Sequence, residues 1–192
     1  HRPSAATVAD EVIGCISRSV RWLVDLQLDS GGFPGGHQAG PGQFYISTSD
    51  YLLRRGHPPT ASVFNSGQIL RGLLRHYEEV GGRDTLESVR ACADFLTGCI
   101  QDDGTWTLDA YAGSSSPSYF LYVIPPLLGA QRLLPDQSLV SSRALAVLRS
   151  VAARQSDSSA FIRGMGFGAS DTAFTHTVGY TLAGFLESCL LY

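Results

Sequence analysis

Apolar side chains recur at helical spacing in six stretches of the chain, and polar or Gly/Pro-rich segments separate these stretches. A period of three to four residues is typical of an amphipathic helix, and glycine and proline usually mark where a helix ends. No stretch shows sustained strand alternation, so we predict an all-α protein, with a kink at Pro125–Pro126 in the fourth helix. The six predicted helices cover about 8–28, 62–80, 84–100, 117–134, 137–155 and 172–192.

The lengths of the links predict how these helices pair. About three residues join helices two and three, and about three join helices four and five. Short links place consecutive helices antiparallel and side by side, so we expect two helical hairpins. Longer links, including a Gly/Pro-rich loop at about 29–60, join one hairpin to the next. The N-termini of helices two, four and six should therefore lie on one rim of the array.

A short motif recurs at the ends of three predicted helices. Each helix ends near a glutamine, and a polar, mostly glycine-rich stretch with an aromatic residue follows: Gln27 to Phe33, Gln101 to Trp106 and Gln155 to Phe161. Such recurrence is typical of repeated units that pack on their neighbours. We therefore predict one domain, 1–192, made of repeated hairpins.

Composition narrows the function classes. A net charge of -3 gives no electrostatic reason to expect nucleic acid as a partner. The chain has no lysine, which excludes a lysine Schiff base or a P-loop lysine within it. No apolar run reaches the roughly 20 residues of a membrane span. The four cysteines lack zinc-site spacing, and we interpret all of them as small buried apolar residues. We expect no metal and no cofactor.

Several of these segments resemble the α/α-toroid superfamily, which includes six-hairpin glycosidases, polysaccharide lyases and epimerases, and terpenoid cyclases with their prenyltransferase relatives. The glutamine loops look like the Q-and-W repeat of the cyclases. Residues 64–73, and residues 175–182 with 185–188, look like bacterial prenyltransferase-like toroid proteins from polysaccharide gene neighbourhoods. The resemblance implies a partial α/α toroid. Family toroids contain about five to seven hairpins, so this chain would form about half a ring. We expect either a homo-oligomer or a C-terminal half outside this chain to complete it.

The strongest catalytic candidates are His176 and Tyr180. They are four residues apart, so they share one face at the start of helix six. The resemblance implies proton abstraction beside a sugar carboxylate by such a pair. The alternative is a hydrogen-bonded pair that only stabilises the start of the helix.

Other polar and aromatic residues on the same rim are candidates for substrate binding. Asn65 could instead cap helix two, and the aromatic residues could instead pack in the core. Asp102 and Asp103 are typical of a turn, and we interpret them as structural. The substrate-binding candidates are Phe64, Asn65, Gln68, Trp106, Tyr119, Tyr122 and Phe167.

Three function classes are compatible with these observations. The first is a carbohydrate-active enzyme (lyase, epimerase or hydrolase) acting on an acidic polysaccharide or oligosaccharide. The second is a terpenoid-cyclase-like or prenyltransferase-like protein, although neither an Asp-x-Asp-Asp nor an Asp-Asp-x-x-Asp motif is present. The third is a non-catalytic binding or assembly module. The expected partner is an acidic saccharide or another small organic substrate.

Overall fold

The computed structural model describes residues 5–35, 60–107, 117–155 and 174–192. These ranges contain six α-helices, one 3-10 helix and two isolated β-bridges, but no strand. The all-α prediction is therefore confirmed for the described ranges. The helices are α1 (Ala5–Asp25), α2 (Val63–Val80), α3 (Arg83–Gly98), the 3-10 helix (Ser118–Val123), α4 (Ile124–Leu133), α5 (Leu139–Ala152) and α6 (Thr175–Leu191).

The predicted fourth helix is divided in two. Residues Ser118–Val123 form the 3-10 helix, and the α-helical part begins only at Ile124. Pro125 and Pro126 lie in the first turn of α4, where a missing N–H breaks no helical hydrogen bond. The predicted kink is therefore wrong, because the two prolines start an α-helix instead of bending one.

The helices form two layers. In the inner layer, α2 contacts the 3-10 helix and α4, which both contact α6. In the outer layer, α1 contacts α3, and α3 contacts α5. Both predicted hairpins are present, since α2 contacts α3 and α4 contacts α5. Within each hairpin, the short link places consecutive helices in different layers.

The core lies between the two layers. Inner-layer residues Leu70, Leu73 and Leu127 and outer-layer residues Val89 and Leu96 are at most 1% exposed. These positions are the apolar ones that recur at helical spacing in the sequence. Truncation of such a leucine to alanine typically costs about 2–5 kcal/mol, so this apolar contact is a major contribution to the stability of the fold.

Two of the glutamine loops have the same backbone conformation. Their equivalent hydrogen bonds are Leu28 N to Gly32 O (2.9 Å) and Gly31 N to Leu28 O (2.7 Å) in one loop, and Gln101 N to Thr105 O (2.8 Å) and Gly104 N to Gln101 O (3.0 Å) in the other. Leu28 therefore corresponds to Gln101, and Gly31 corresponds to Gly104. The third loop lies outside the described residues beyond Gln155.

This register corrects the alignment predicted from the sequence, because Gln27 is not the equivalent of Gln101. The side-chain amide of Gln27 donates to Gly31 O (2.7 Å) and to Ser88 O (3.0 Å), so it attaches its own loop to α3. Gln101 is exposed and acts in the turn through its backbone. The two loops therefore share a backbone conformation, but Gln27 contributes side-chain hydrogen bonds whereas Gln101 contributes backbone hydrogen bonds.

The equivalent glycines explain why the loops are so alike. Gly31 and Gly104 have φ angles of 86° and 79°, a region that L side chains rarely adopt. A Cβ atom on Gly31 would lie 2.2 Å from Ala91 O in α3, and one on Gly104 would lie 2.2 Å from Ala146 O in α5. Each loop therefore packs directly on the backbone of the next outer helix.

The aromatic residue of each loop is buried at the start of an inner-layer element. Phe33 is fully buried, and its N–H donates to the hydroxyl of Ser66 in α2 (2.8 Å). Trp106 is 7% exposed, and its ring packs edge-on against Phe120 of the 3-10 helix, with 5.7 Å between ring centroids. The loops thus position the N-terminal ends of the inner layer.

The cysteines differ from the prediction in two of four cases. All four thiols are free. Cys92 and Cys99 are buried as expected, and burial raises the pKa of both. Cys15 in α1 and Cys189 in α6 are exposed, so the prediction of four buried cysteines is wrong. These two positions lie on helix faces that the other described residues leave uncovered.

Candidate functional site

Three aromatic rings from three inner-layer elements meet near the N-terminal ends of α2 and α6. Phe64 of α2 lies 5.2 Å from Tyr180 of α6 and 6.4 Å from Tyr122 of the 3-10 helix, measured between ring centroids. Tyr122 and Tyr180 are 5.1 Å apart. All three rings are partly exposed. We call these three residues the aromatic cluster.

His176 lies beside the aromatic cluster. Its ring centroid is 5.9 Å from that of Tyr180, one helical turn later, so the two residues share a face as the sequence predicted. His176 is exposed and also contacts Phe174, the residue that precedes α6. The first turn of a helix carries a partial positive charge, which favours an anionic group near His176.

An arginine and a glutamate complete this region, and sequence reasoning did not select either of them. The guanidinium carbon of Arg71 lies 4.4 Å from the ring centroid of Tyr122. Arg71 also forms an ion pair with Glu187 of α6 (2.5 Å). Both side chains are about one-third exposed, at 35% and 37%. The two residues are 116 positions apart in the chain, so no local spacing could have indicated their contact.

The two amide candidates have different surroundings. The side chain of Asn65 donates to Gly35 O (2.8 Å), so it ties the loop after Phe33 to α2. Ser62 caps α2 by accepting from the Asn65 N–H (3.3 Å), so the interpretation of Asn65 as the cap is wrong. Gln68 lies one turn after Phe64 and is partly buried. Its amide nitrogen has no hydrogen-bond partner within the described ranges.

Two of the aromatic candidates lie in the core. Trp106 is 7% exposed and Tyr119 is 2% exposed. Both rings pack edge-on against Phe120, and Tyr119 also contacts Phe64, with ring centroids 5.3 Å apart. These positions agree with the alternative of core packing. The remaining candidate, Phe167, lies outside the described residues.

The acidic turn after α3 is structural, as predicted. Asp103 accepts from the Thr105 hydroxyl (2.7 Å) and from its N–H (2.9 Å), and these bonds hold the pKa of Asp103 below its usual range. Asp102 pairs with Arg143 of α5 (2.7 Å). The two carboxylates thus attach the turn to itself and to the outer layer.

A separate groove lies in the outer layer. It has a volume of about 440 Å³ and runs between α3 and the link from α4 to α5. Arg90 of α3 and Asp136 of the link both line the groove, and they form an ion pair (2.6 Å). Its polar lining includes Arg90, Asp94, Thr97, Asp136, Gln137 and Arg143. None of the aromatic cluster lines this groove, so the groove and the cluster are distinct surfaces.

Comparisons with known proteins do not assign this chain. A scan against protein-family models, a search of curated proteins and a search of solved structures each found no match. None of the helices in the described ranges is long and apolar enough to cross a membrane. In the same part of the chain, no group of three or more His, Cys, Asp or Glu side chains could hold a metal ion.

Proposed function

We propose that the protein is a carbohydrate-active enzyme of the α/α-toroid type that acts on an acidic polysaccharide or oligosaccharide. The observation that carries this proposal is the aromatic cluster beside His176. Partly exposed aromatic rings offer flat apolar faces on which a sugar ring can stack. The two alternating helical layers are compatible with part of a toroid, and they bring the cluster together from three separate chain segments.

The charged residues support an acidic substrate. The guanidinium of Arg71 matches the geometry of a carboxylate, and it lies over the ring of Tyr122, within the same cluster. The carboxylate of Glu187 forms an ion pair with this guanidinium, so a substrate carboxylate would compete with Glu187 for Arg71. A uronate sugar provides both the apolar ring face and the carboxylate that this arrangement fits.

His176 and Tyr180 have the roles of proton-transfer groups in this proposal. Histidine is the side chain that most readily exchanges a proton near neutral pH, and His176 is open to solvent. It would remove the proton next to the sugar carboxylate. Tyr180, one turn away, would donate a proton to the leaving oxygen in a lyase or to the opposite face of the carbon in an epimerase.

A panel of uronate-containing polysaccharides tests this proposal. Products are measured as unsaturated sugar ends, as new reducing ends and as a changed ratio of epimers. We expect His176→Ala and Tyr180→Phe each to lower kcat by about 100-fold or more, since general acid–base groups typically contribute that much. Both variants should retain the melting temperature of the parent chain because both side chains are at least partly exposed.

Tyr77→Phe is the matched control, because Tyr77 lies near the far end of α2 and should leave turnover unchanged. Unchanged turnover in His176→Ala would remove His176 from the mechanism. Binding of a saccharide without turnover would assign the protein to the third class, a non-catalytic binding module.

A second candidate function is favoured by the contact between Arg71 and Tyr122. A cation already lies over this ring at 4.4 Å, and the same ring faces could stabilise the carbocation of a terpenoid-cyclase-like or prenyltransferase-like reaction. Incubation with allylic diphosphates, followed by analysis for hydrocarbon products and released diphosphate, separates this candidate from the first.

A further inference from the structure

Helix α6 has large apolar residues on a side that is not packed. Its fully buried positions are the small residues Thr177, Thr181, Gly184 and Ser188, and Val178, Phe185 and Leu191 pack beside them, partly buried. Its exposed side carries Leu182, Leu186 and Leu190, which are 51%, 68% and 83% exposed. These leucines recur every four residues, so they form one continuous stripe along the helix. A helix normally buries its apolar stripe, and a large exposed apolar patch usually marks an interaction site. We call these three residues the leucine stripe and interpret it as an interaction surface.

A second apolar stripe is exposed on α1. Val8, Val12 and Ile16 also recur every four residues, and they are 44%, 51% and 47% exposed. Val20, the next residue in the same series, is 8% exposed, and Ser17 lies 3.4 Å from His76 of α2, so the packed side of α1 adjoins this exposed side. We call the exposed side the valine stripe. Thus α1 and α6 each have one packed face and one exposed apolar face.

The layer pattern indicates what fits these stripes. The inner helix α2 packs on the outer helix that follows it, α3, and α4 packs on α5 in the same way. The inner helix α6 has an open apolar face where such an outer helix would lie. The outer helix α1 has an open apolar face where a preceding inner helix would lie. The open face of α6 thus fits an outer helix, and the open face of α1 fits an inner helix. This chain contains an exposed helix of each kind, since α1 is outer and α6 is inner.

We propose that a second copy of this chain supplies both neighbours, with its α1 packed antiparallel on α6 of the first copy and its α6 packed on α1 of the first copy. This contact continues the interfaces between α2 and α3 and between α4 and α5 from one copy into the next. In a dimer with a two-fold axis the two junctions are equivalent and neither stripe of either copy stays exposed, so the arrangement is closed. The proposal does not depend on the proposed enzymatic function.

The area of contact favours two junctions over one. A helix of 17 residues is about 26 Å long, and a strip of that length on both partners buries on the order of 700 Å². One junction is then below the roughly 1,200 Å² of a specific interface, whereas two junctions together bury on the order of 1,400 Å². A closed dimer with both junctions is therefore expected in preference to an open chain of copies.

The first test is the mass of the protein in solution. Sedimentation equilibrium should give twice the 20.6 kDa of one chain at micromolar concentration. Leu186→Asp on the leucine stripe and Val12→Asp on the valine stripe should each weaken the dimer by about 100-fold or more, because each places a charge in an apolar interface. Leu139→Asp is the control, since Leu139 is 60% exposed on α5, outside both stripes.

The two variants also distinguish this dimer from others. A dimer made by α6 on α6 would survive Val12→Asp, and a dimer made by α1 on α1 would survive Leu186→Asp. Either result would overturn the proposal. So would a monomeric parent chain, including one in which a different protein covers the stripes. Circular dichroism of each variant should show the parent helix content, which excludes unfolding as the cause of dissociation.

The exposed cysteines provide an independent test. Cys15 lies in α1 and Cys189 lies in α6. Because the dimer packs α1 of one copy on α6 of the other, it brings Cys15 of one copy close to Cys189 of the other. A bifunctional thiol reagent should yield chains linked between Cys15 and Cys189, and Val12→Asp should abolish the link. Linkage only between two Cys189 residues, detected by peptide mass spectrometry, would overturn the proposed arrangement.

Discussion

Replacement of Gly104 by alanine should destabilise the fold far more than the loss of one glycine normally does. Gly104 has a φ angle of 79°, and a Cβ atom there would lie 2.2 Å from Ala146 O and 2.7 Å from Val147 N. These are backbone atoms of α5, so no side chain can rotate away to relieve the contact. The loop and α5 must instead separate by more than about 1 Å before ordinary van der Waals distances return.

The magnitude has two parts. The left-handed φ angle costs an alanine about 1–2 kcal/mol. The separation of the loop from α5 disturbs the packing of Trp106, which is 7% exposed, and core disruptions of this kind typically cost about 2–3 kcal/mol more. We therefore expect Gly104→Ala to lower the free energy of unfolding by about 4 kcal/mol. In a domain of this size that corresponds to a fall in melting temperature of about 8–16 °C.

Thermal and urea unfolding followed by circular dichroism measure this effect, and the chain offers a matched control. Gly81 has nearly the same φ angle, 78°, but nothing lies within 4 Å of the added Cβ. Gly81→Ala should therefore lose only the conformational part, about 1–3 kcal/mol, because the ψ angle of −155° places Gly81 in a region that almost only glycine adopts. Equal losses in the two variants would refute the argument that contact with α5 makes Gly104 indispensable.

Two further predictions concern packing. Gly184→Ala should destabilise the protein by about 3 kcal/mol, because the added Cβ would lie 2.6 Å from the Leu121 carbonyl. Gly179→Ala in the same helix meets nothing within 4 Å and should stabilise the protein by up to about 1 kcal/mol. Thermal unfolding measures both changes, and a loss of stability in Gly179→Ala equal to that in Gly184→Ala would contradict the packing argument. Burial raises the thiol pKa of Cys92 and of Cys99, so both should react with an aromatic disulfide reagent only after denaturant is added. Rapid reaction of either thiol in the native protein would contradict its burial.

The helices could be predicted from the sequence because their signals are local. The double glycine Gly81–Gly82 separates α2 from α3, and the apolar residues of both helices face the core at helical spacing. The proline pair carries a local signal, but the sequence alone does not show which of two structures it marks. Prolines inside a long apolar run predict a kink, whereas here the preceding residues form a 3-10 helix and the prolines open α4. Only the backbone conformation before the prolines distinguishes the two cases.

The register of the repeated loops could not be predicted, because identical letters do not imply identical positions. Gln27 and Gln101 match in the sequence, but the hydrogen bonds of the two turns pair Leu28 with Gln101. The turn conformation is set by Gly31 and Gly104, the residues with positive φ angles. An alignment on the glycines and on the buried aromatic residues that follow them would have given the correct register.

The candidate site could be predicted in part, for a related reason. His176 and Tyr180 are four residues apart in one helix, so their shared face follows from helical geometry alone. Arg71 and Glu187 come from different helices, and only the packing of α6 against the 3-10 helix brings them together. Residues whose roles depend on contact between distant segments carry no local signal.

The position of α6 connects the site with the proposed interface. Its small residues allow close approach to the 3-10 helix, and this approach sets the distance between Tyr122 and Tyr180. Val178, Phe185 and Leu191 flank these small residues and pack, partly buried, against the core, so the packed face of α6 also buries apolar area. Burial of the leucine stripe on the opposite face would add further apolar contact to the same helix. In the proposed dimer, a partner on that stripe would therefore further stabilise the helix that carries Tyr180 and His176, and the dimer would support the geometry of the candidate site.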